Sequence, residues 1–165
     1  MAISREQLVE QSVKEYIREQ LFDVRGISED KVQIIDSPPE RKAGSIETPL
    51  KKNYAALGFH FDEGGKQAEL GSDLKTRVYV IEFIVFGVTS TWASNLATTI
   101  RDSAEVQNGR IPLLDFGVAG HPPIDYLTDV AAIARREPVP DPHPWEEYVW
   151  ITTIQVTDEY FASLV

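Results

Sequence analysis

The sequence of 165 residues contains no cysteine, which excludes a disulfide framework, a thiolate zinc site and a cysteine nucleophile. Positive charge is also in short supply. Sixteen Lys and Arg stand against 26 Asp and Glu, a formal net charge of −10, which argues against a protein that grips nucleic acid by neutralising its phosphates. No stretch approaches the ~20 consecutive apolar residues that span a bilayer. The start, MAISREQLVEQ, lacks the basic end and apolar run of an export signal. A chain that stays in the cytoplasm and touches no membrane is the expectation. Catalytic signatures are missing as well. The glycines at 64, 65 and 71 are not followed by Gly-Lys-Ser/Thr at a helix start, and no G-x-S-x-G nucleophile elbow occurs.

What remains is an ordinary globular composition, 42% hydrophobic and 25% charged, of a length that one domain over residues 1–165 accounts for. The chain is organised around residues 77–109, where RVYVIEFIVFGVTST runs into WASNLATTIRDSAEVQN and a glycine. This predicts a long strand followed by an amphipathic helix. Along the strand Tyr79, Ile81, Phe83 and Val85 point one way, and Val78, Val80, Ile84 and Phe86 the other, interrupted only by Glu82. A strand apolar on both faces needs cover on both.

Upstream, Ser4 and Gln7 have capping-box spacing. Leu8, Val9, Val13, Tyr16, Ile17 and Leu21 then make one apolar stripe. They predict a helix over residues 5–22, with Gly26 ending the segment. KVQII at 31–35 reads as a short strand, and residues 36–53 as a long excursion rich in proline and charge. Residues 54–61 and 76–88 read as an antiparallel pair. Thr91 or Ser94 can cap the second helix, whose Ala93, Leu96, Ala97, Ile100 and Ala104 form a small-residue face. Residues 110–116 fit a strand or an extended crossing. Residues 124–138 fit helix or strand, with strand favoured from about 130 to 139. After the PVPDPHP run, WEEYVWITTIQVT alternates cleanly as a C-terminal strand. The expected fold is α+β: an antiparallel sheet of four to six strands, with two main helices packed on it and long inter-strand loops.

Residues with chemistry in them are scattered. His60, His121 and His143 do not pair at ligand spacing, and a metal site of His121, Asp125 and His143 requires two proline-rich loops to meet. Paired carboxylates at Asp62 and Glu63, Asp125 and Asp129, and Glu146 and Glu147 fit a solvated surface better than acid–base work. Neither cofactor, metal nor catalytic residue is assigned. Arg41, Lys42, Lys51, Lys52 and Lys66 lie in the long loops and are candidates for binding a partner. Trp92 and Trp145 stand at element edges, where large aromatics suit an interface. Tyr79, Ile81 and Phe83, or the opposite row, are the first candidates for contact with a neighbouring subunit, and Trp150 reads as core.

In the order of its elements, with VYVIEFIVFGV before the second helix and WEEYVWITTIQVTDEY at the end, the chain resembles the tail terminator proteins of long-tailed, non-contractile phages of the mycobacterial type. The resemblance implies a virion structural protein, not an enzyme. It implies a homo-oligomeric ring, hexameric in that family, that caps the tail tube protein, ends tube polymerisation and joins the head-to-tail connector protein at the neck. DNA would pass through the lumen without sequence recognition, and an acidic chain suits such a channel because it does not adhere to the genome. A head-to-tail connector or stopper of the neck shares the size, acidity and ring habit and remains open. So does a small-molecule enzyme or binding protein with a site around His121 and His143.

Overall fold

The computed structural model describes residues 4–35, 53–61, 66–67, 74–86, 89–105, 109–136 and 149–161. Within them the chain is α+β, with two helices on one side of a largely antiparallel sheet. Helix α1 (Arg5–Glu19) opens with the capping box expected of Ser4 and Gln7, each side chain bonding the other's backbone N–H. It passes into a π-helical turn, Gln20–Val24, closed by the Arg25 N–H donating to the Gln20 carbonyl. That widened turn keeps Gln20 and Leu21 both buried before Gly26, at φ +68°, reverses the chain.

The strands are β1 (Val32–Ile35), β2 (Asn53–Phe61), the two-residue β3 (Lys66–Gln67), β4 (Leu74–Phe86), β5 (Ile111–Leu114), β6 (Pro123–Arg136) and β7 (Val149–Phe161). Their order is β1-β2-β4-β7-β6-β5, with β3 pairing the start of β4. The six-strand path lies at the upper end of the expected range. β1 and β2 run parallel, and every other pair is antiparallel, including the expected β2–β4 and β6–β7 neighbours.

Helix α2 (Ser90–Ala104) starts two residues before the nearer of the expected caps would place it. Its cap is Thr89, not Thr91 or Ser94, and the Thr89 hydroxyl accepts from the Trp92 N–H at 3.1 Å. Thr91 and Ser94 fall inside the helix, where the backbone donors already have partners. Its small-residue face lies on β7 and β6, while α1 packs mainly on β5. Ala93, Leu96, Ala97, Ile100 and Ala104 are all buried there. Because the face is slim, Thr152 on β7 reaches the Ala97 carbonyl and donates to it at 2.8 Å, satisfying a buried hydroxyl. Ser12 plays the matching part for α1, accepting from the Leu114 N–H at 3.0 Å where β5 ends.

The segment that fitted helix or strand is strand as far as it is described, to Arg136, and longer at its start than expected. Its ambiguity has a physical source. Leu127 and Ala132 are both buried although they are five positions apart, whereas strict alternation would send them to opposite faces. A bulge between Thr128 and Ala131 inserts the odd residue, and Asp129 takes it up at φ +50°. The first half of β6 pairs with β5 and the second half with β7.

Candidate functional site

The two faces of β4 have different fates. Tyr79, Ile81, Phe83 and Val85 are completely buried beneath the helices, together with Ile154 and Val156 of β7 and Ile111, Leu113 and Leu127. Burial of each such side chain is worth ~1.5–3 kcal/mol, so this row makes the chain's own core. The expectation that Tyr79, Ile81 and Phe83 meet a neighbouring subunit is therefore corrected: α1 and α2 already cover them. The opposite row, Val78, Val80, Glu82 and Ile84, is only half-buried.

Strand register shows what lies beside that second row. Val80, Gln155 and Ala131 form one line across β4, β7 and β6. Glu82, Thr153 and Ile133 form the next, and Ile84, Ile151 and Arg135 a third. Ile133 is 68% exposed, the most exposed large apolar side chain among the described residues. The result is a sheet face of Val78, Val80, Ile84 and Ile133 interspersed with a few polar groups, and no helix of the described residues crosses it.

No protein-family model matches this chain, and no curated protein matches it.

The other expected contact residues are dispersed. Trp92 stands at the first turn of α2, 38% exposed. Trp145, Arg41, Lys42, Lys51 and Lys52 lie outside the described residues, and Lys66 is described only as backbone in β3. Trp150 is half-buried and packs against the core, as its place in the alternation suggested. His121 sits in a tight turn at φ +46°, its ring 4.9 Å from that of Phe116. The Asp125 carboxylate is occupied elsewhere, 3.6 Å from the Arg5 guanidinium and accepting from the Tyr126 N–H at 2.8 Å. His143 lies outside the described residues. Among the described residues no three His, Asp or Glu side chains gather in a way that could hold a metal ion.

A polar cluster that the sequence did not announce lies at the far end of β7. Arg5, the first residue of α1, donates from Nε and Nη2 to both oxygens of the buried Asp158, at 2.7 and 2.9 Å. Its guanidinium also lies over the Tyr160 ring, 4.7 Å from the centroid. Arg77 approaches the same ring at 5.6 Å and donates to Glu6 at 2.7 Å. The bond to Asp158 holds the Arg5 guanidinium above its ordinary pKa against the opposing effect of burial. Burial pushes the Tyr79 phenol up, with Arg77 holding it back. One signal for Asp158 was present in the sequence. It continues the inward row of Ile154 and Val156, and a carboxylate in that position requires a cation.

Proposed function

We propose that the chain is the subunit of a closed ring at the end of a phage tail tube, where it stops tube growth and meets the head-to-tail connector, with DNA passing through the lumen. The observation that carries this reading is the half-exposed apolar row of β4. Among the described residues two helices cover one face of the sheet and leave Val78, Val80, Ile84 and Ile133 for a neighbour. In a head-to-tail ring each subunit buries one surface of its own against a different surface of the next, and a sheet face of this kind suits one side of such a contact. The net charge of −10 supports a lumen through which DNA slides without adhering. The resemblance in element order to tail terminator proteins supplies the place in the particle.

Native mass spectrometry of the protein and electron micrographs of the particle test the reading together. A ring on the tail axis at the neck is expected. A monomer at high concentration with no ring in the particle overturns it. Loss of the gene is expected to give tails of uncontrolled length. Tails of normal length that fail only to join heads would instead make the protein a connector or stopper.

A further inference from the structure

Strands β6 and β7 part company at Thr128. From Arg136 back to Ala131, β6 follows β7 in register, and Thr128 still faces Thr157. Beyond the bulge at Asp129 the first half of β6 turns onto β5, while β7 stays with β4 as far as Phe161. Among the described residues, 158–161 of β7 therefore have a strand partner on one side only, as do 123–127 of β6. Between them opens a wedge of ≈ 640 Å³, large enough for a specific ligand. Arg5 spans its floor, joined to Asp158 of β7 and close to Asp125 of β6.

The chemistry of the wedge selects among occupants. Strand edges present backbone donors and acceptors at regular spacing, which another extended peptide matches and a lipid or nucleic acid does not. One donor already has a stand-in, since the Tyr126 N–H bonds to the Asp125 side chain. Arg5 and Arg110 stand against Asp125, Asp158 and Glu159 in and beneath the wedge, with Arg5 bonded to Asp158 and 3.6 Å from Asp125. The net charge of the wedge is negative. Ile124 and Tyr126 are about half exposed and, with Leu74, give an apolar wall.

We propose that the wedge binds an extended segment of a partner polypeptide as an added strand between β6 and β7. A basic side chain of that segment lies between Asp125 and Glu159, and an apolar one rests against Ile124 and Tyr126. The proposal does not depend on the ring, because it rests on the splay of two strands within one subunit.

Blocked heptapeptides of alternating threonine and valine, with a central lysine, a central glutamate, or the lysine form N-methylated at alternate amides, are titrated into the full-length protein. Binding is followed by amide NMR shifts. The lysine peptide is expected to bind and to shift amides of residues 123–128 and 158–161. The N-methylated form should bind about tenfold more weakly, having lost ladder hydrogen bonds, and the glutamate form should be weaker by a similar factor. In a folded Asp125→Asn, Glu159→Gln protein the lysine and glutamate peptides should bind alike. No binding of the lysine peptide at millimolar concentration, binding indifferent to N-methylation, or shifts confined to the open face of β4 overturns the proposal. Equal binding of lysine and glutamate peptides to the unaltered protein overturns its assignment of a basic segment.

Discussion

Arg5 Nε and Nη2 lie 2.7 and 2.9 Å from the two oxygens of Asp158, joining the first residue of α1 to β7 across 153 positions of sequence. Asp158 is 1% exposed, so its charge is compensated almost wholly by this fork. Removing the arginine strands the carboxylate, whereas removing the carboxylate leaves a guanidinium that can still turn to Asp125, 3.6 Å away. Arg5→Ala should therefore cost about 3–5 kcal/mol, and Asp158→Ala less. Urea unfolding of the two variants measures the difference, which should persist at high salt because screening reaches a buried pair poorly. Arg101 and Asp102 form an exposed pair at 2.9 Å on α2, and Arg101→Ala should stay within about 0.5 kcal/mol.

Val80 and Ile81 are chain neighbours on opposite faces of β4, and that contrast separates folding from the proposed assembly. Ile81 is fully buried among the helices, and Ile81→Ala should lower stability by about 2–5 kcal/mol. Val80→Asp and Ile84→Asp place charge on the half-buried face instead. They should leave a folded protein by circular dichroism and abolish the proposed ring in native mass spectrometry. A ring that survives both aspartates would remove the open face from the assembly.

The parts of this fold that could be read in the sequence are those governed by short-range periodicity. The capping box at Ser4 and the alternation of β7 depend on neighbours two or three positions apart, and the β2–β4 pair was legible because each of its strands could be recognised locally; the structure holds all three as read. The direction of β4's two rows could not be read in the same way. Both rows are apolar, and only the placement of α1 and α2 decides that Tyr79 is core and Val80 is not. The wedge was hidden for a different reason. It depends on the irregularity at Asp129, and a bulge cancels the very alternation by which a strand is recognised. Arg5 and Asp158 were visible as a charged pair only once α1 had been laid across the end of β7.

Tyr16 gives a pH dependence with a definite sign. Its ring is buried, and among the described residues its hydroxyl has no hydrogen-bond partner. Burial raises its pKa above the ordinary value of 10.0, with Glu19 adding to the shift. Below the unfolded-state value both states keep the proton and its contribution to stability is whole. As pH rises past that value the unfolded chain ionises first, and stability falls until the folded pKa is passed. Tyr79 shifts in the same direction, so Tyr16→Phe should flatten only part of the alkaline loss. At neutral pH the same variant should be as stable as the parent or more so by about 1 kcal/mol, because an unsatisfied buried hydroxyl is removed. Thermal melts at neutral and alkaline pH measure both effects.

Asp129 ties the local backbone to the shape of the wedge. At φ +50° it occupies a region that strains most L residues by roughly 1–2 kcal/mol, and aspartate is among the side chains that tolerate it best. Its neighbour Val130 donates to the carbonyl of Gly109, itself at φ +70°, so the bulge is fastened to the turn before β5. Asp129→Gly should retain this geometry at equal or slightly greater stability. Asp129→Val sets a β-branched side chain against the same φ and should destabilise by about 1–2 kcal/mol, or drive β6 back into register with β7. Amide hydrogen exchange distinguishes the two responses. Simple strain lowers protection across the whole sheet, whereas restored register raises it at residues 158–161 and closes the wedge to any added strand.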